Sequence, residues 1–158
     1  MTKVILSDLA RTFLFVKDPN WTETLNKLYS KLEAEEAGYD FWDKFYLDYD
    51  YLELMKSLKL KYSVNMFTSG YIQNHLELQK LFLPVFENIF NEESVGFGKK
   101  DKQSYQVIAQ RLGVKPEEIF FIDDDLNYCE AARAAGLQVF QMTGLADLKF
   151  ELQTLNLL

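Results

Sequence analysis

Four short apolar runs, separated by stretches of helical periodicity, constrain this chain more than any other feature. Lys3–Leu9, Tyr62–Phe67, Ile119–Ile122 and Leu137–Gln141 read as strands buried on both faces of a parallel sheet. Between the second and third runs, Tyr105, Ile108, Ala109 and Leu112 recur at i, i+3, i+4 and i+7, with Asp101 as the N-cap and Gly113 as the stop. The alanine-rich stretch from Asp125 to Ala135 ends in the same way at Gly136. Strands alternating with helices predict an α/β fold, a doubly wound, mostly parallel sheet. In such sheets chemistry gathers beyond the carboxyl ends of the strands.

Residues 13–60 break this rhythm. After the short run Phe13–Val16, Trp21, Leu25, Leu28 and Leu32 fall on one helical face, and Gly38 marks a break. Phe41, Trp42, Phe45, Tyr46 and Tyr49 then repeat as a second helix. The block predicts a small α-helical insertion at about 17–60 over the carboxyl edge, its aromatics packing mainly against one another. With no repeat or Pro/Gly-rich linker, residues 1–158 are expected to form one domain. Leu145, Leu148, Leu152 and Leu155 predict a terminal helix that covers the sheet rather than a dimer helix.

Composition narrows the classes of partner. Hydrophobic residues at 48% supply a real core, and a net charge of −7 without any basic stripe argues against nucleic-acid binding. The run Val4–Leu9, interrupted at Asp8, is too short for a signal core, and no segment approaches a membrane span. The single cysteine, Cys129, is expected to be a small buried thiol in a reducing compartment, which points to the cytoplasm.

The chemistry-bearing residues sit where the strands end. Asp8 is placed to attack a phosphorus atom or bind a cation, or else simply to cap a turn. Thr68, Ser69 and Gly70 offer hydroxyls and amides at an expected helix N-terminus, a seat for phosphate oxygens or an ordinary cap. Lys99 and Lys100, after Gly98, offer a cation to an anion or form a solvated pair. Asp123, Asp124 and Asp125 close a buried strand, and three adjacent carboxylates repel one another unless a cation compensates them. Oxygen ligands of this kind suit Mg²⁺.

All four groups fall in order along one α/β pattern, and here the chain resembles the haloacid dehalogenase-like (HAD) hydrolase superfamily. The first family motif, Asp-x-Asp-x-Thr after an apolar strand, corresponds to Asp8-Leu9-Ala10-Arg11-Thr12, with alanine in place of the second aspartate. The second motif corresponds to Tyr62–Thr68 and the third to Lys99 or Lys100, with the spacing to Asp101 and Tyr105 favouring Lys99. The fourth, an apolar strand ending in Asp-Asp, corresponds to Phe120–Asp124, followed by the helix Glu130–Gly136. The insertion falls where the family places its C1 cap.

The resemblance implies a Mg²⁺-dependent hydrolase acting on a small phosphorylated metabolite. Asp8 would be the nucleophile that forms an aspartyl-phosphate. Asp8, the carbonyl of Ala10, and Asp124 with Asp123 would hold the metal, while Thr68, Ser69, Lys99 and Arg11 would contact the substrate. The family's second aspartate protonates the leaving oxygen and then activates water, a task worth about 10²–10⁴-fold in rate. Ala10 leaves that task open to three readings. The leaving group needs little protonation or another acid such as Asp123 substitutes; turnover is impaired and the chain binds a phosphate ligand or a protein partner; or a cap lysine, Lys27, Lys31 or Lys44, forms an imine, as in relatives that carry alanine here and cleave carbon–phosphorus bonds. Arg11 replaces the glycine usual in the family. The lone His75 is expected to pack on a helix.

Overall fold

A computed structural model describes residues 1–158. In chain order the elements are β1 (Val4–Ser7), β2 (Leu14–Val16), α1 (Leu25–Glu35), α2 (Phe41–Lys44), β3 (Phe45–Leu47), α3 (Tyr49–Leu58) and β4 (Ser63–Thr68). After a 3₁₀ turn at Ile72–Asn74 come α4 (Leu76–Phe82), β5 (Ile89–Asn91), α5 (Glu92–Val95) and α6 (Lys102–Leu112). A second 3₁₀ turn, Pro116–Glu118, leads to β6 (Ile119–Asp123), α7 (Leu126–Ala134), β7 (Gln138–Gln141) and α8 (Leu145–Thr154).

Five strands form one sheet in the order β5-β4-β1-β6-β7, every pair parallel. The chain builds outward on one side of β1 and then crosses to the other. The carboxyl end of β1 therefore lies at the switch point where open α/β sheets bind ligands. Successive side chains of the central strands leave opposite faces. Ile5, Val64, Phe120 and Ile122 pack with α3, α4 and α8, whereas Val4, Leu6, Ile119 and Phe121 pack with α6 and α7. The α/β architecture read from the apolar runs is the one observed.

Capping residues set the helix ends that matter for the site. Asp101 accepts from the amide of Gln103, and Asp125 accepts from those of Asn127 and Tyr128. α6 stops at Gly113, whose φ of +68° is open to glycine without a Cβ penalty. The leucine helix α8 buries Leu148 and Leu152 against the sheet.

Three sequence expectations change. The aromatic run from Phe41 to Tyr49 is not one helix: it is a single turn, then β3, then the start of α3. β3 pairs antiparallel with β2, burying Phe45 and Leu47 and exposing Tyr46, so a period of two prevails over a period of 3.6 once the partner strand is present. Trp21 precedes α1, where its indole N–H donates to the carbonyl of Thr24. Edge strand β5, three residues long, gives no periodic signal in the sequence. Within the expected insertion, α3 packs Leu52, Met55 and Leu58 beside Ile5 and Val64, so it shares the core of the sheet domain.

Candidate active site

Asp8 leaves the end of β1 with its amide bonded to the carbonyl of Ile122, so the adjoining strand holds its backbone. Lys99 lies between Asp8 and Asp123, its Nζ 2.6 Å from Asp8 Oδ1 and 2.6 Å from Asp123 Oδ2. The lysine and Asp123 side chains are wholly buried, and that of Asp8 is 7% exposed. Burying a cation there is tolerated because two carboxylates face it and the ring of Tyr128 lies 4.7 Å from Nζ. Burial alone pulls Lys99 down, but Asp8 and Asp123 outweigh it and hold the ammonium above the ordinary lysine range.

The backbone of Lys99 is fixed as firmly as its side chain. Its amide donates to Glu92 Oε1 at 2.7 Å, and its carbonyl accepts from the Tyr105 hydroxyl at 2.8 Å. Lys100 is exposed, so Lys99 is the lysine the fold brings to the carboxylates. The remaining Asp8 oxygen accepts from Thr12 Oγ1 at 3.1 Å. Glu92 was not legible as a site residue, because nothing in the sequence pairs it with the amide of Lys99. Thr12, by contrast, is the last residue of the first motif.

Carboxylate oxygens of Asp8, Asp123 and Asp124 lie within 4.8 Å of one another. Asp123 is raised well above the usual carboxylate range, first by burial and then by the Asp8 charge. Asp124 is half-buried, and burial followed by Asp8 pushes it up to about 6. The conflict expected among three adjacent acids is thus confined to two of them. Asp125 serves instead as the N-cap of α7.

Above this base opens a pocket of about 100 Å³ lined by Asp8, Ala10, Arg11, Asn26, Ser69, Asp124 and neighbouring side chains. Thr68 is buried beneath the rim, its hydroxyl donating to the Gly70 carbonyl at 3.3 Å. Ser69 is exposed in the loop after β4. That loop runs into a 3₁₀ turn before α4 begins at Leu76, so the helix N-terminus expected directly after Thr68 is not there. Arg11 adopts φ +62°, a conformation that disfavours side-chain-bearing residues by about 1–2 kcal/mol. Its guanidinium donates to the Glu23 carbonyl at 2.9 Å, tying the turn after β1 to the segment before α1.

No lysine of the insertion lines this pocket: Lys27 pairs with Glu23, Lys44 with Glu36, and Lys31 is exposed on the far side of α1 beside Leu28 and Leu32. The imine reading therefore has no amine where it needs one. His75 caps α4 and stacks on Phe41 with ring centres 4.3 Å apart, a packing role. Cys129 is buried, and burial pushes its thiol up to about 12. No helix is long and apolar enough to cross a membrane.

The chain is similar to several known proteins. An enolase-phosphatase of Synechococcus sp. is 33% identical over 91 residues, covering 55% of this chain and 37% of that protein. One from Stenotrophomonas maltophilia is 32% identical over 120 residues, covering 67% and 51%. The chain thus spans roughly a third to a half of the length of these curated relatives. Among solved structures, a HAD family enzyme of Bacteroides thetaiotaomicron, an aspartate-to-alanine mutant in complex with magnesium and inorganic phosphate, superposes with a TM-score of 0.70 at 16% identity over 95% of this chain and 99% of that one. An uncharacterised protein of Corynebacterium glutamicum gives 0.65 at 14% identity over 98% and 95%. These likenesses show a shared fold. The haloacid dehalogenase-like hydrolase profile matches residues 7–136, most of the chain, and the protein belongs to that family.

Proposed function

We propose that this chain is a Mg²⁺-dependent phosphohydrolase of a small phosphorylated metabolite, with Asp8 as the nucleophile. The observation that carries the reading is the cluster at the carboxyl ends of adjacent strands, where Asp8, Asp123 and Asp124 converge around the buried Lys99. The donor set fits a hard divalent cation, since it consists of carboxylate oxygens within 4.8 Å of one another. Asp8, Asp124 and the Ala10 carbonyl would hold it, with Asp123 as a further carboxylate already engaged by Lys99. Bound there, Mg²⁺ would neutralise charge on the phosphoryl oxygens.

The chain's own groups divide the remaining work. Lys99 draws Asp8 into one orientation, and its buried ammonium would offset the charge of the transferred phosphoryl group from beneath Asp8. Ser69 and Arg11 line the same space, with Thr68 buried next to Ser69 in the chain. Attack by Asp8 on phosphorus gives an aspartyl-phosphate, which water then hydrolyses. The enolase-phosphatase relatives and the neighbour crystallised with magnesium and phosphate support the same substrate class.

Ala10 favours a second reading, phosphate binding without efficient turnover, because no carboxyl stands at that position. Hydrolysis of p-nitrophenyl phosphate with and without Mg²⁺ separates the two. Mg²⁺-dependent release by the native chain, lost in Asp8→Asn, is the expected result. Release that survives Asp8→Asn removes the nucleophile assignment. No release, together with thermal stabilisation by Mg²⁺ and a phosphate mimic, makes the chain a binding protein.

A further inference from the structure

Asn26 carries an arrangement that the family motifs do not contain. Its Oδ1 accepts from the amides of Tyr71 and Ile72 at 3.0 and 3.1 Å, joining the first turn of α1 to the loop after β4. The carboxamide lies directly on Gly70, where an added Cβ would come within 2.2–2.5 Å of its Cγ, Oδ1 and Nδ2. Two backbone donors on Oδ1 fix which end of the amide is which, so Nδ2 is the end left to donate. Asn26 lines the same pocket as Asp8 and Ala10.

In-line displacement puts the leaving oxygen on the far side of phosphorus from the nucleophile. Asp8 follows the end of β1, and Thr24, Leu25 and Asn26, at the start of α1, line the same pocket. None of these is an acid. An amide donates a hydrogen bond but does not give up its proton, and Ala10 gives nothing at all.

We propose that Asn26 binds the leaving-group oxygen of the substrate through its free Nδ2–H, and that this site therefore takes phosphate esters and anhydrides whose leaving oxygen is stable as an anion, such as acyl, enol or aryl phosphates. The assignment rests on the phosphohydrolase reading and deepens it. In the step, an Asp8 oxygen forms the new bond to phosphorus, the bond from phosphorus to the leaving oxygen breaks, and its electron pair departs on that oxygen as carboxylate, enolate or phenolate. No proton is required. Asn26 stabilises the growing negative charge, and its contribution is largest where that charge is most basic.

A series of aryl phosphates of graded leaving-group basicity, together with acetyl phosphate and one alkyl phosphate, tests this for the native chain, Asn26→Ala and Gly70→Ala. For the native chain, kcat/KM should fall steeply with leaving-group basicity while kcat stays flat, since every substrate yields the same phospho-enzyme. Asn26→Ala should steepen the fall, losing about 10²–10³-fold at the basic end and only a few-fold at the acidic end. Gly70→Ala, whose Cβ displaces the carboxamide without deleting it, should reproduce that pattern even if the loss of the two backbone contacts unfolds Asn26→Ala. A uniform loss across the series, or none, makes Asn26 a mere tie between two segments and overturns the proposal while leaving the phosphohydrolase intact. Absence of turnover for every member in the native chain overturns the phosphohydrolase itself.

Discussion

The floor of the pocket and its rim are built on opposite principles. On the floor, Asp8, Lys99 and Asp123 sit at strand ends or are clamped by buried hydrogen bonds, and each charge touches its opposite at 2.6 Å. On the rim, Ala10, Arg11, Ser69 and Asn26 come from turns and the start of α1, and one of them, Arg11, holds a strained φ of +62°. The floor fixes charge in advance of any substrate, whereas the rim, on the proposed reading, decides how the leaving group is handled. A family can keep the first nearly constant and vary the second, because rim changes do not leave a buried charge unpaired.

The contrast breaks most visibly at Lys99. Lys99→Met leaves Asp8 and Asp123 facing each other without a cation, and a loss of about 3–5 kcal/mol in urea denaturation at neutral pH is expected. Asp123, already raised by burial and the Asp8 charge, then loses the cation that opposes that rise, so the native state binds more protons. Part of the lost stability should return as pH is lowered through the range in which Asp123 takes up its proton. An unchanged denaturation midpoint would show that the floor is not electrostatically held.

At the rim, Ala10→Asp restores a carboxyl where the family has one. For the first step, kcat/KM of an alkyl phosphate should rise by about 10²–10⁴-fold, with little change in kcat/KM for acetyl phosphate. Equal gains for both substrates would mean that Ala10 does not govern the leaving group. Between floor and rim lies Asp124, pushed up to about 6 by burial and the Asp8 charge. Mg²⁺ must displace its proton, so affinity measured by calorimetry should rise between about pH 5 and 7 and level off above. A pH-independent affinity would remove Asp124 from the ligand set. The smallest effect is expected at Arg11: Arg11→Gly relieves about 1–2 kcal/mol of backbone strain but loses the bond to the Glu23 carbonyl and adds chain entropy, leaving the melting temperature within a few degrees.

The same division explains what could be read from the chain alone. β1, β4 and β6 were legible because a parallel strand in the middle of a sheet is apolar on both faces, and the floor carboxylates Asp8 and Asp123 follow directly from the ends of β1 and β6. Asp101, Gly113 and Gly136 announced helix boundaries through local chemistry that needs no tertiary partner. β3 was hidden because Phe41–Tyr49 fits a helical period as well as an alternating one, and only pairing with β2 decides between them. Asn26 was hidden for a related reason. One asparagine in a helix's first turn carries no signal until Gly70 and the amides of Tyr71 and Ile72 arrive from the other side of the pocket. Arg11 was visible as a departure from glycine, and the structure shows that the turn is kept and its residue strained.

On the proposed reading, Asp8 takes a phosphoryl group in a site whose floor is intact and whose second step is slowed by Ala10. Intact-protein mass spectrometry after quenching a reaction with acetyl phosphate and Mg²⁺ addresses it directly. The native chain should gain the mass of one phosphoryl group, mapped to Asp8; Ala10→Asp should carry far less of it, and Asp8→Asn none. An adduct that persists in Asp8→Asn, or one mapped to another residue, would contradict the account.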